Sequence, residues 1–535
     1  MSDAAVVSPH VDGLRRDTAV VTVCTLLSRV TGFGRVLATM AVLGAGALGD
    51  VYQTANLIPN LLFELVAAGV LQAVLVPSYV AARRAGGDEE LTRAVRATAG
   101  VIFAVLAVVT IIGMALAPVL ARLLVAAEPS AALADDKVDV MVPMVLVFVP
   151  QLLFYGLAMA VGAALNARGH FVAAALSPVV NNLVVITACL LFRASRDGAV
   201  ADLDLTATQF ALIAGGTTLG VVAFALAPTF ALSRAGIGWL PQWRLQHPAV
   251  QAMRRQFGWA TLSIIGTLVP TATALALGNG APGGVAIFVY AFAFYVLPHA
   301  LVAVPVATTL APRVADRWQD EDLPAARHAI DSSMRLALPL LALGGAGMVG
   351  LAWPLARLFA FGQTATQGLA PIAHALAAFG PGLLGYGVAF VLMRVLFALG
   401  DVRRASLLTV AAAGAGVACM GALTVLMDPS ERAAALAIGY GAAQTVGAGL
   451  LIVRTHRITG SMGVGSTSRV LAESLAGGAL AAAAMLAVTA VVPDSRAWSV
   501  VELLAAGTAG CAVFAAVFAW LRRDQVADWR RRRAG

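Results

Sequence analysis

Long apolar runs, separated by short polar or glycine-rich stretches, cover almost the whole chain. Fourteen can be delimited. The first six fall near 18–43, 51–81, 97–126, 140–166, 171–192 and 206–233. The next six fall near 257–279, 284–311, 334–361, 369–399, 405–427 and 433–453, and the last two near 470–492 and 498–521. A helix needs about 20 residues to cross the hydrocarbon layer. Lipid offers backbone groups no partner, so each run must close its own hydrogen bonds as a helix. The pattern predicts an all-α polytopic membrane protein with fourteen transmembrane helices. The first 17 residues are polar and carry Arg15 and Arg16, and no small-residue cleavage site follows a short apolar core. The first run is therefore expected to stay as a span rather than to be removed as a signal peptide.

Composition agrees with this pattern and narrows the function. Of 535 residues, 60% are apolar and 12% charged, against roughly 45–50% and 25% in soluble chains. A disordered protein, a disulfide scaffold and a soluble multidomain enzyme are excluded. The net charge of +8 comes from 36 Lys+Arg against 28 Asp+Glu. The N-terminus, the even-numbered loops and the C-terminal tail hold 26 of those bases, the odd-numbered loops 7 and the spans 3. Arg83, Arg84, Arg93 and Arg96 mark one basic loop, Arg254 and Arg255 a second, and Arg313, Arg317, Arg327 and Arg335 a third. The asymmetry places both termini in the cytoplasm and reads as a topology signal, with no nucleic-acid partner. Cys24, Cys189, Cys419 and Cys511 all lie in apolar runs and read as packing residues.

An internal repeat lies under the fourteen runs. Shifting the chain by 231 positions sets Pro150, Tyr155-Gly156 and Gly169 against Pro381, Tyr386-Gly387 and Gly400, with Leu and Ala matches between them. A weaker echo pairs Ile58-Pro59 through Pro77 with Leu297-Pro298 through Pro312. Two six-helix halves in the same orientation follow, related by an axis along the membrane normal. Such repeats in transporters enclose a substrate site and work by alternating access. The expected organisation is a cytoplasmic segment over 1–17, six-helix lobes over 18–235 and 236–456, a helix pair over 457–521 and a basic tail over 522–535.

Ionisable groups inside spans are costly and mark function. Arg29 and Arg35 lie in the first span, Glu64 in the second, His299 in the eighth and Arg394 in the tenth, and Asp50 closes the loop between the first two. Arg394 reads as a snorkelling side chain, His299 as a core histidine, and Glu64 as either a charge-compensating acid or a bridge to one of the arginines. Two cations on one span point to an anionic ligand, because guanidinium matches phosphate bidentately. Asn60 and Gln72 of the second span and Asn181 and Asn182 of the fifth add hydrogen-bonding groups that serve either a ligand or helix association. Gly32, Gly34, Pro59 and Pro77 are expected to interrupt the first two spans where backbone lines a cavity. There is no phosphate-binding glycine loop with lysine, no paired carboxylates in one segment and no His/Cys cluster. The reading is a non-enzyme with no cofactor and no metal.

The segments Ser28-Arg29-Val30-Thr31-Gly32-Phe33-Gly34-Arg35, Pro59-Asn60-Leu61-Leu62 with Gln72, Ser177 through Leu183, and Arg394 through Asp401 resemble the MurJ/MviN lipid II flippases. That family belongs to the superfamily that also holds multidrug exporters and polysaccharide flippases. The resemblance implies transport of undecaprenyl-pyrophosphate-linked peptidoglycan precursor from the cytoplasmic to the periplasmic leaflet of the bacterial plasma membrane. It implies that first-span arginines bind the pyrophosphate headgroup, with Arg29, Arg35 and Asp50 at matching positions. It also implies a lipid-tail groove at the last two spans. Lipid II or a related polyisoprenyl-pyrophosphate glycan, membrane lipids and cell-wall synthesis proteins are the expected partners. Two features depart from the family. Phe63-Glu64 and Phe292-Ala293 stand where it carries cavity cations, and no acid occupies the seventh and eleventh spans, where it builds a sodium site. The rival readings are a flippase for another undecaprenyl-linked glycan, a multidrug-type exporter and a transport-inactive scaffold for cell-wall assembly.

Overall fold

The computed structural model describes residues 9–65, 71–196, 201–256, 259–359, 362–366, 369–460, 464–493 and 495–521, and no strand occurs among them. The helices begin with α1 (Pro9–Leu43), α2 (Ala47–Phe63), α3 (Leu71–Ala115), α4 (Ala117–Val125), α5 (Ala131–Phe148), α6 (Gln151–Ala167) and α7 (Phe171–Ala194). They continue with α8 (Ala207–Phe210), α9 (Gly216–Arg234), α10 (Pro248–Gln256), α11 (Trp259–Gly278), α12 (Gly284–Gln319), α13 (Leu323–Gly350) and α14 (Ala352–Phe359). The last are α15 (Gln363–Thr366), α16 (Ala370–Phe379), α17 (Gly382–Ala398), α18 (Val402–Leu426), α19 (Arg432–Thr459), α20 (Val464–Thr489) and α21 (Ser499–Leu521).

Among the described residues, 12 segments are long and apolar enough to cross a membrane, and α16 with α17, bent by 42°, makes a thirteenth. Of the expected run over 51–81, residues 66–70 lie outside the described residues. α2 runs through Pro59 to Phe63, a wider turn takes Glu64 and Leu65, and α3 begins at Leu71. Helix α3 has 45 residues. At about 1.5 Å per residue it would be roughly twice the hydrocarbon thickness as one rod. Gly86 and Gly87 divide it, with Gly87 at φ 63. Gly32 and Gly34 do not interrupt the first span, contrary to the sequence expectation, because α1 runs through both. They give α1 a small-residue face instead: a Cβ on Gly32 would lie 3.4 Å from Asn182 of α7. Lys137, expected in a loop, is fully enclosed on α5.

The chain forms two compact units. The first holds residues 1–42, 51–123 and 135–261, and the second holds 43–50, 124–134 and 262–535. The core of the first packs α3 and α6 through Leu75, Leu91, Leu106 and Val161. That of the second packs α12, α13, α17 and α19 through Leu310, Leu338, Leu392 and Leu451. The repeat returns in the helix ends. α6 follows Pro150 and α17 follows Pro381, and both their first and last residues are offset by 231 positions. Each helix is followed by a left-handed glycine, Gly169 at φ 78 and Gly400 at φ 80, a conformation that suits glycine because it has no Cβ.

Candidate substrate-binding site

The first unit gathers most of the residues singled out in the sequence. α1 carries Arg29 on a stretch that is largely exposed from Thr22 to Val30, and Arg35 about two turns further on, half-buried. Neither guanidinium meets a carboxylate among the described residues, and Glu64, exposed at the end of α2, makes no ion pair among them. Arg35 lies close enough to Tyr52, Tyr155 and Cys189 to act on each electrostatically. Those hydroxyls belong to a polar set that sequence reasoning missed. Tyr52 shares a 2.8 Å hydrogen bond with Thr217 of α9, and the Gln151 amide of α6 donates to Thr218 at 2.8 Å. Isolated Tyr, Gln and Thr residues inside apolar runs carry no periodic signal. Tyr155 alone was visible, as part of the repeat.

Beside this set lies a cavity of about 580 Å³, lined by Phe63, Val76, Tyr155, Asn166, Ser177 and Phe224 among others. Tyr155 links the two, since it borders the cavity and feels the charge of Arg35. A pocket of this size with few polar groups suits a ligand that is largely apolar and oriented by a small number of fixed donors.

The remaining predicted residues divide by role. The amide of Asn182, a buried residue, donates to the Ser28 carbonyl at 3.4 Å and the Thr31 hydroxyl at 3.2 Å, tying α7 to α1. The Asn181 side-chain oxygen is enclosed without a partner among the described residues. Asn60 donates back to the Asn56 carbonyl at 2.8 Å. Gln72 lies on α3, but its side chain falls outside the described residues. Asp50 is fully enclosed in the second unit, where its carboxylate accepts from the backbone N–H groups of Gly283, Val285 and Ala286 at 2.8, 3.0 and 2.9 Å. Those are the free donors at the start of α12, which Gly283 leaves without a side-chain cap. Asp50 thus stands away from any ligand-accessible surface. An acid the sequence analysis did not single out, Glu502 on α21, is fully buried and pairs with Arg357 at 3.1 Å.

The second unit holds an aromatic cluster. Phe288, Phe292 and Tyr295 of α12 pack with Phe379, Tyr386 and Tyr440. His299 is 3% exposed and stacks on Tyr386 at 3.8 Å. Arg394 sits over the Phe390 ring at 4.9 Å. Two apolar grooves follow α20. One, of about 290 Å³, is lined by Met334, Leu338, Val388, Ile452 and Leu471, and the other, of about 210 Å³, by Leu341, Val349, Leu475 and Ala482. Both include Leu384, so they adjoin.

The sequence profile of the family described as Lipid II flippase MurJ matches residues 39–508. The chain belongs to the lipid II flippase MurJ family. Among its MurJ relatives, the probable lipid II flippase of Rhizobium tropici is 30% identical over 423 residues, spanning 77% of this chain and 76% of the relative. The lipid II flippase MurJ of Burkholderia cenocepacia is 27% identical over 386 residues, 71% of this chain and 72% of the relative. The fold agrees. An inward closed structure of lipid II flippase MurJ superposes with a TM-score of 0.73 at 16% identity, covering 95% of this chain and 99% of that one. An inward-facing multidrug transporter of the MATE family gives 0.63 at 15% identity, over 81% and 95%. The MurJ family and the twelve or more apolar helices place the chain in the membrane as a transporter.

Proposed function

We propose that this MurJ-family chain moves lipid II, or a closely related polyisoprenyl-pyrophosphate glycan, from the cytoplasmic to the periplasmic leaflet by alternating access, without catalysing a reaction. The observation that carries the reading is the pair Arg29 and Arg35. They share one helix and have no carboxylate partner among the described residues. An uncompensated guanidinium in a membrane helix is stabilised by an anionic ligand, and pyrophosphate accepts its forked N–H groups. Tyr155 and the cavity beside it extend the site, and Glu64 and Asn60 supply its remaining polarity.

The adjoining grooves along α20 suit the hydrocarbon tail. Their α20 residues run from Thr467 to Ala482, about 22 Å at 1.5 Å per residue. In this reading α20 forms the groove with α13, α17 and α19, while α21 packs on α13 and α20 through Phe514. Asp50 acts as the cap of α12 and Asn182 as a tie between helices.

One observation favours a headgroup other than that of lipid II. Phe292 is packed among aromatic rings at a position where the sequence comparison expected charge. Native mass spectrometry of the purified protein with lipid II, undecaprenyl pyrophosphate and a second undecaprenyl-pyrophosphate glycan separates these readings. We expect pyrophosphate lipids to be retained by wild type and released by Arg35→Gln. Equal retention by both proteins would contradict the headgroup role of Arg35, and preference for the second glycan would replace lipid II as the substrate.

A further inference from the structure

The stretch between α9 and α10 has an unusual construction for a loop. Its backbone is fixed to the first unit: the Gln242 N–H donates to the Arg96 carbonyl at 2.8 Å. The Gln242 carbonyl passes so near Gly100 that a Cβ there would lie 2.1 Å from it. Trp239 packs on the core, and α10 buries Ala249, Val250 and Met253. At the far end the His247 ring accepts from the Ala249 N–H at 3.2 Å and meets Glu90 at 3.3 Å.

This rigid frame holds large apolar side chains outward. Leu240 is 57% exposed, Trp243 65% and Leu245 40%. The surface is also strongly basic. From Ala231 to Gln256 the chain has four arginines and no Asp or Glu. Arg234, Arg244 and Arg254 are exposed and meet no carboxylate among the described residues. The acids nearby on α3 are already engaged, Asp88 with Arg83 and Arg168, and Glu89 and Glu90 with Arg93. The patch continues an existing lipid-facing surface. Leu219, Leu226 and Phe230 are exposed along the membrane helix α9, and Arg234 folds back over the Phe230 ring at 4.3 Å.

Exposed Trp and Leu on a fixed backbone, flanked by unneutralised arginines and adjoining a lipid-facing helix, match the boundary between headgroups and acyl chains. We propose that residues 240–245, with Arg234 and Arg254 on either side, dock on the anionic phospholipid headgroup layer, with Leu240 and Trp243 entering the boundary zone. The docked segment joins the two repeat halves, and it holds that connection at the membrane surface as a fixed part of the first unit.

The test uses full-length protein in vesicles of phosphatidylcholine with phosphatidylglycerol, comparing wild type with Trp243→Phe. The emission difference between them reports Trp243. Lipids brominated near the top of the acyl chain should quench most of that difference, and aqueous iodide should leave it nearly unchanged. Quenching by iodide with no effect of brominated lipid would overturn the proposal and put the tip in water or against a protein. An independent arm replaces Arg234, Arg244 and Arg254 together by Gln and counts phosphatidylglycerol that co-purifies with the protein. A several-fold loss is expected with total phospholipid held constant, and an unchanged count would overturn the headgroup contact. This arm also decides the matter should Trp243→Phe fail to accumulate.

Discussion

Tyr155 and Tyr386 occupy the same position in the two halves of the repeat, and their surroundings differ in kind. Tyr155 borders a cavity of about 580 Å³, lies 3.5 Å from the Gln151 amide oxygen and feels the charge of Arg35. Tyr386 is stacked against Tyr295 at 5.2 Å and His299 at 3.8 Å. The glycine after each tyrosine has kept one role. A Cβ on Gly156 would lie 2.3 Å from Leu106, and one on Gly387 would lie 2.3 Å from Leu341. Duplication has therefore preserved the backbone frame, with its proline start, close helix approach and left-handed glycine, while the lining diverged. One half became polar and cationic, and the other became an aromatic pack. In the proposed reading, transport chemistry belongs to the first lining, and the second supplies shape and stability.

Variants can separate those roles, and the largest effect is expected at the arginines. Arg29→Ala and Arg35→Gln should each reduce flipping of labelled lipid II in proteoliposomes to background while the protein still accumulates normally in the membrane. Neither side chain has a carboxylate partner among the described residues, so folding loses little. Asp50→Ala reverses that pattern. It leaves three enclosed backbone donors without their acceptor, costing on the order of 3 kcal/mol or more. Thermal unfolding in detergent should shift clearly downward.

Phe292→Ala removes a ring packed against Phe288, Tyr295, Phe379 and Tyr440. By analogy with soluble cores it should destabilise by about 3 kcal/mol. The folded fraction should still retain pyrophosphate lipid. Loss of lipid binding without loss of stability would place Phe292 in the ligand site and break the comparison. The smallest effect is expected at Asn182→Ala, where two bonds to α1 are lost, about 1 kcal/mol in total by analogy with interhelical bonds in membranes. A thermal shift assay should register only a slight decrease.

Much of this was legible in the chain. Apolar runs marked nearly every span because lipid imposes helix on any segment long enough to cross it. The repeat was readable because proline and glycine constrain the backbone and so resist drift in a way that Ala and Leu do not. Arg29 and Arg35 stood out because charge is rare in spans. Asp50 was ambiguous for a physical reason: a lone acid in a glycine-rich loop carries the same signal whether it meets a ligand or a helix start. The clue lay elsewhere, in Pro282-Gly283-Gly284, where α12 begins with no side chain to cap it. Glu502 was missed because its partner Arg357 lies 145 residues away, beyond any local pattern.

The most direct test of the cationic half as the transport site is rescue of a bacterial strain depleted of its own lipid II flippase. The wild-type chain, Arg29→Ala, Arg35→Gln and Phe292→Ala would be compared at matched abundance, with lipid II exposed on the periplasmic leaflet as the readout. The account predicts exposure with wild type, partial exposure with Phe292→Ala and none with either arginine variant. Full exposure in the arginine variants at normal abundance would contradict it.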